Sequence, residues 1–222
     1  MRMSNDLSLD VPWSLGEEAF GAIVDELRAV DAKTFIEFGA GRSSVRFAQA
    51  LSSMRVLSIE SDPKFFPPTQ ALARAHGVDD RLSISLRPLT WQRQAGAPFW
   101  SYEPGDFPDV VDAVLIDGPP SWTGRGREAA FYQVVERVRL GGLIFLDDHR
   151  RRSEQQTVAN WLVRFPACFD VRFLDVGHGV AVLRKRAETA RPTTSAATAV
   201  DAWTAALLSV KRAAQRRMRS RG

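Results

Sequence analysis

Acidic side chains at the ends of apolar runs carry most of the chemical potential of this sequence. In Phe35-Ile36-Glu37-Phe38-Gly39-Ala40-Gly41-Arg42-Ser43-Ser44 an apolar run breaks into a small-residue turn and continues into a helical segment. Glycine permits a tight turn and close approach of a ligand, and the amides that open the next helix offer donors. Glu60 closes a second apolar run 21 residues after Gly39, where a carboxylate can accept hydrogen bonds from a ribose diol. The turn therefore reads as a pocket for a nucleotide-type cofactor. Glu37, two residues before Gly39, sharpens this: a carboxylate there repels a pyrophosphate but attracts the ammonium of an amino-acid-bearing cofactor. A dinucleotide site and a ligand-free structural turn are the alternatives.

Two later runs end in acids, Val114-Leu115-Ile116-Asp117 and Leu143-Ile144-Phe145-Leu146-Asp147-Asp148, the second followed by His149. Burying such charges without a partner is costly, so a cation, a protonated amine or solvent must face them. Oxygen-only ligands suit Mg²⁺ or Mn²⁺. A metal-free reading makes His149 a proton acceptor polarised by Asp147 or Asp148, against the plainer one in which it is solvated at the head of Arg150-Arg151-Arg152. Arg125, Arg127 and Arg150 to Arg152 are expected either to ring a pocket mouth suited to an anionic acceptor or to be ordinary surface. His76 reads as a helix C-terminal group and His178 as a turn residue. The single Cys168 reads as a buried small hydrophobe, and no zinc set is present.

Hydrophobic periodicity supplies the elements that must position these groups. A helix opened by a Ser14-x-x-Glu17 box precedes strand 33–38, helix 43–52, strand 55–60, helix 63–75 and strand 81–86. An irregular aromatic stretch over 90–109, with Trp91, Phe99, Trp100, Tyr102 and Phe107, reads either as a lid, with Trp13 and Trp122 joining it, or as core filler. Strand 112–117, helix 127–139, Gly141-Gly142, strand 143–147 and helix 153–165, opened by a Ser153-x-x-Gln156 box, follow. Strand–helix alternation implies a parallel sheet with helical crossovers. The runs 169–176 and 179–184 are joined by Gly177-His178, too short for a parallel crossover, so they should form an antiparallel hairpin.

The pattern Glu37-x-Gly39-x-Gly41, with Glu60 ending the second strand, resembles the class I S-adenosylmethionine-dependent methyltransferases. Ser44 in place of a third glycine fits that family better than it fits a dehydrogenase fingerprint. The terminal hairpin is similar to the family's seven-stranded sheet, ordered 3-2-1-4-5-7-6 with its last strand antiparallel. The likeness spans roughly residues 20–185 and implies an α/β, Rossmann-like, doubly wound fold that binds S-adenosylmethionine. It implies that Glu37 meets the methionine ammonium directly or through water, that Phe38, Gly39, Ala40, Gly41 and Ser44 line the cofactor, that Glu60 and Ser61 serve the ribose, and that Asp117 sits beside the transferring methyl group.

Catechol-type O-methyltransferases carry an Asp and an Asp-Asn pair that hold a divalent ion. Asp117, Asp147 and Asp148 look similar, with Asp148 in the Asn position, which implies Mg²⁺ or Mn²⁺ on these three residues. Asp148 and His149 are the candidates for acceptor activation. Asp117-Gly118-Pro119-Pro120-Ser121-Trp122 resembles, with broken spacing, the Asp-Pro-Pro-aromatic motif of amino-group methyltransferases acting on nucleic-acid bases. A looser likeness to methyltransferases of sugars and natural products makes a hydroxyl of a small molecule or saccharide the expected acceptor. The alternatives are an amino-group or nucleic-acid methyltransferase, and a non-catalytic cofactor-binding scaffold that works through its tail.

The 222 residues, 45% hydrophobic and 25% charged, suffice for one sizeable core, expected over 1–186. No apolar run approaches the roughly 20 residues of a membrane span, and residues 1–10 lack leader character, so the expected location is cytoplasmic. Ten Lys/Arg and two Asp/Glu from residue 184 onward give that end +8, against −4 for the preceding 183 residues. The core thus shows no electrostatic footprint for nucleic acid. After a linker over 187–198, residues 199–222 read as a basic helix whose apolar stripe (Val200, Trp203, Leu207, Val210, Ala214) and crowded cations suit docking or oligomerisation, peripheral membrane contact, or a nucleic-acid contact.

Overall fold

The computed structural model describes residues 6–9 and 14–189. The helix expected over 199–222, most of the linker before it and Trp13 lie outside those residues. Helix α1 (Glu17–Ala29) precedes β1 (Thr34–Phe38), α2 (Arg42–Ala50), β2 (Arg55–Glu60), α3 (Phe66–Ala75) and β3 (Leu82–Leu86). Strands β4 (Leu89–Gln94) and β5 (Ala97–Tyr102) follow, then β6 (Val111–Ile116), α4 (Gly126–Val134), β7 (Val138–Leu146), α5 (Arg152–Arg164), β8 (Phe169–Leu174) and β9 (Val180–Lys185). Seven strands form one sheet in the order β3-β2-β1-β6-β7-β9-β8, with β9 antiparallel to both neighbours. This is the order expected from the alternation and the terminal hairpin.

Strand alternation divides the core into two layers. Phe35, Val56, Leu115 and Phe145 face α1, α2 and α3, where they meet Ile23, Phe47 and Leu72. Ile36, Val114, Ile144 and Leu183 face α4 and α5, where they meet Phe131 and Trp161. Both faces being covered, each central strand is an almost continuous apolar run, as parallel sheets require. All five carboxyl-terminal strand ends of the parallel set β1, β2, β3, β6 and β7 then open on one edge. Among the described residues no helix is long and apolar enough to cross a membrane.

Local readings needed correction in several places. The stretch 90–109 is not irregular: β4 and β5 pair antiparallel with Gln94 opposite Ala97. Ala95 (φ 46°) and Gly96 (φ 81°) make the two-residue turn with positive φ at both positions that suits a hairpin's twist. Ala-Gly is a weak turn signal beside Asn-Gly, and the aromatic clustering hid the alternation. Strand β7 starts at Val138 rather than after Gly141-Gly142. The glycines lie inside it, because a Cβ on Gly142 would meet Asp112 O at 2.8 Å. Neither capping box forms. Helix α1 is capped by Gly16 and α5 by Arg151, without side-chain bonds. Glu17 instead accepts the Leu9 N–H at 3.1 Å and pairs with Arg46 at 2.5 Å.

Candidate active site

The turn after β1 is built from beneath by a buried acid. Glu37 faces α2 because it shares the parity of Phe35, and it stands in register with Ser58 of β2. Its carboxylate accepts the hydroxyls of Ser43 at 2.6 Å, Ser58 at 2.8 Å and Ser44. Burial raises its pKa, and the three hydroxyls oppose that rise. Ser44 also accepts the Gly41 N–H at 3.0 Å, so the residue in the third-glycine position ties the turn to Glu37. Glu37, Phe38 and Ser44 are fully buried, whereas Gly39, Ala40, Gly41 and Ser61 keep accessible surface. The turn's acid therefore has no surface of its own at the turn, and only the small residues above it are accessible.

Glu60 ends β2 on the neighbouring strand. One oxygen is held by the amides of Ser61 at 2.6 Å and Asp62 at 2.7 Å, which fixes the side chain over its own loop. Burial raises its pKa. Gly39 approaches β6 so closely that a Cβ would lie 3.2 Å from Gly118 N, and its φ of 109° is itself a glycine conformation. The glycine turn, Glu60 and Asp117 thus share one sheet edge.

The aspartates converge as expected. Carboxylate oxygens of Asp117, Asp147 and Asp148 lie within 4.8 Å of one another. Burial, then repulsion from Asp147, lifts Asp117 well above the usual carboxylate range. Asp147 is raised by burial and by Asp148. Two close carboxyls of raised pKa share a proton in preference to ionising together. Asp148 takes a left-handed φ of 62°, tolerable for Asp, and its carboxylate contacts Arg127 Nη1 at 3.1 Å and Arg151 Nη1 at 2.6 Å.

Arg127, read as lining a pocket mouth or as ordinary surface, is only 6% exposed and lies inside this cluster. It donates to the carbonyls of Pro119 at 3.4 Å, Asp147 at 3.1 Å and Asp117 at 2.5 Å, and to Asp117 Oδ1 at 3.2 Å. Arg125 and Arg150 are engaged elsewhere. Arg125 pairs with buried Glu128, and Arg150 reaches Gly177 O at 2.8 Å and Asp175 at 2.5 Å. Arg150, Arg151 and Arg152 remain exposed, whereas Arg127 is withdrawn into the acid cluster. Three carboxylates are a donor set that a small divalent ion can use, and Asp147 Oδ1 is buried without a hydrogen bond. Two guanidinium groups, however, already face these carboxylates, Arg127 at Asp117 and Asp148 and Arg151 at Asp148. A divalent ion on these oxygens would also face the guanidinium of Arg127, which already lies 3.1–3.2 Å from two of the three carboxylates. The residues present do not suit a resident divalent ion.

His149 stands apart from the acid cluster. Its ring stacks on Phe173 at 4.3 Å, its amide bonds Gly179 O, and burial lowers its pKa. His76 caps the C-terminus of α3, and Cys168 is buried in the core.

Sequence reading grouped Tyr102 with the lid or core aromatics and did not place it beside the glycine turn. The hairpin lays β5 along α4, with Ser101 Oγ donating to Gly126 O at 2.8 Å, and so brings Tyr102 to the sheet edge. A Cβ on Gly118 would collide with its hydroxyl. Burial, then Glu60, raises its pKa well above the usual phenol value, so it stays a proton donor. The signal was present in β4–β5 alternation, but it becomes readable only once the hairpin is placed.

No family model matches the chain, and none of the curated proteins does. Solved structures do. An SAH-bound methyltransferase from Podospora anserina, PaMTH1, aligns with 14% identity over 76% of this chain and 78% of its own, at a TM-score of 0.58. A methyltransferase from Geobacter sulfurreducens aligns with 18% identity over 82% of each chain, at 0.57. The O-methyltransferase TomG of Streptomyces achromogenes, involved in tomaymycin synthesis and solved with SAM, aligns with 17% identity over 80% of this chain and 84% of its own, at 0.56. At such identities the likeness establishes a shared fold, the Rossmann-like fold of class I methyltransferases.

Proposed function

We propose that this chain, built on the class I methyltransferase fold, transfers the methyl group of S-adenosylmethionine to a hydroxyl of a small molecule or saccharide. The observation that carries the reading is the meeting of the Gly39–Gly41 turn, Glu60 and Asp117 at the carboxyl ends of β1, β2 and β6. On this reading the donor site, the ribose anchor and the group that meets the acceptor share one edge. The structures of like fold that hold SAM or SAH support the donor, and the O-methyltransferases among them support a hydroxyl acceptor.

When bound, the cofactor supplies an already activated methyl group, so the chain mainly aligns the acceptor and takes its proton. Glu60 receives the ribose hydroxyls on the oxygen turned from its loop. Gly39, Ala40 and Gly41 lie against the amino-acid portion, and the field of Glu37 favours its ammonium. Asp117, at the end of β6 beside the turn, would take the proton of the acceptor hydroxyl as that oxygen displaced the sulfonium leaving group in line. Asp117 is the more open acid of the cluster, its side chain 19% exposed against 7% for Asp148. Asp148, paired with two arginines, orients them. No step runs through a metal ion.

Calorimetric titration with S-adenosylmethionine and S-adenosylhomocysteine is expected to give one site per chain in the micromolar range; absence of binding sinks the reading. Once an acceptor is in hand, Asp117→Asn should cut kcat by roughly 10²–10⁴, the worth of a general base, and leave SAH affinity within a few-fold. A loss of that size in His149→Ala, with Asp117→Asn near normal, would assign the proton to the imidazole.

A further inference from the structure

We infer that Arg127 is the resident cation of the acid cluster: a guanidinium delivered by α4 that makes acceptor activation independent of a divalent ion. The inference deepens the methyl-transfer reading, because it concerns how Asp117 is held in that reaction. Arg127 acts through Asp117 and is a positioning residue.

Its guanidinium makes four hydrogen bonds and one further ion pair. Nε meets Pro119 O, Nη1 meets Asp147 O and Asp148 Oδ2, and Nη2 meets the carbonyl and Oδ1 of Asp117. A guanidinium has five N–H donors, and five acceptors surround this one. Two of them are the main-chain carbonyls at the ends of the adjacent strands β6 and β7. One side chain thus fixes the spacing of those ends as well as the charge of two carboxylates, whereas a point ion on the carboxylates would not grip the backbone. Burial opposes the charge of Arg127, but Asp117, Glu154, Asp148 and Asp147 outweigh it, so its pKa is raised.

The chain reserves the approach path. A Cβ on Gly126 would meet Pro119 Cγ at 2.5 Å and Trp100 O at 2.6 Å, so α4 can begin this close to the end of β6 only with glycine there. The next residue is Arg127. Lysine would supply three donors from a point charge and could not span the same acceptors.

The test follows Mn²⁺ binding to the EDTA-treated full chain by electron paramagnetic resonance, with melting temperature as a second readout. The wild-type chain should bind no stoichiometric Mn²⁺ in the micromolar range and melt alike with Mn²⁺ or EDTA. Arg127→Gln, which removes the charge and keeps polar contacts, should melt lower, bind one Mn²⁺ and regain stability with it; adding Asp148→Asn should abolish that binding. Wild-type Mn²⁺ binding that is lost in Asp148→Asn overturns the inference. So does a folded Arg127→Gln that binds none. If that variant fails to fold, Arg127→Lys decides, since micromolar Mn²⁺ binding by a variant that keeps the charge also overturns it. Metal binding can fail this test while SAM binding stands, and the reverse.

Discussion

Glu60→Ala is expected to weaken S-adenosylhomocysteine binding by roughly 10²–10⁴-fold. A hydrogen bond to a charged group contributes about 1.5–3 kcal/mol, two ribose hydroxyls are at stake, and about 1.4 kcal/mol is tenfold in affinity. The side chain is preorganised, since Ser61 and Asp62 amides hold one oxygen at 2.6 and 2.7 Å and no rotamer search is left for binding. The substitution also releases those two amides, which stay close to solvent, so stability should fall by only about 1 kcal/mol. Calorimetry on wild type and variant, each with SAH and an analogue lacking the ribose hydroxyls, closes the cycle. Removing the hydroxyls should weaken wild-type binding as much as the substitution does, and should cost the variant nothing further. An unchanged dissociation constant in Glu60→Ala would place the nucleoside elsewhere.

Glu128→Ala is expected to remove about 3–5 kcal/mol of stability, the usual cost of leaving a buried charge without its counter-ion. Glu128 is fully buried on α4 and pairs with Arg125; it also accepts Tyr132 Oη at 2.8 Å and Asn160 Nδ2 at 3.0 Å, with Arg164 Nε 3.9 Å away. Arg164, also fully buried, reaches Ala95 O in the β4–β5 turn at 2.7 Å. One carboxylate therefore joins α4, α5 and the hairpin. For a chain of this size each kcal/mol is worth roughly 2–4 °C, so the melting temperature should fall by about 6–20 °C. Glu128→Gln, which keeps polar atoms and drops the charge, should fall between. A loss under about 1 kcal/mol in Glu128→Ala would mean that water replaces the carboxylate at no cost. Because Glu128 follows Arg127 directly, the variant should also loosen the acid cluster, visible as weaker SAH binding below the melting transition.

Groups at strand ends were legible because period and position coincide. Glu37, Glu60, Asp117 and Asp147 each close an apolar run, and a parallel sheet carries all such ends to one edge. The topology followed in the same way from strand–helix alternation and from a terminal connection too short for a crossover. Arg127 was not legible. In Arg125-Gly126-Arg127 two arginines look alike, yet helix phase turns one toward Glu128 and the other into the aspartates. Tyr102 was hidden for another reason: its strand pairs only with its own hairpin partner, so the alternation points to α4 and the sheet edge rather than to the main core.

The sequence by itself determined the strand order, the glycine turn and the set of acids that meet at its mouth, since hydrophobic period and connection length are local properties that survive without coordinates. Only the tertiary structure decided what neutralises those acids. Charge balance depends on distances between elements far apart in the chain. The fold brings a buried guanidinium within hydrogen-bonding reach of Asp117 and Asp148 and leaves the imidazole of His149 stacked on Phe173.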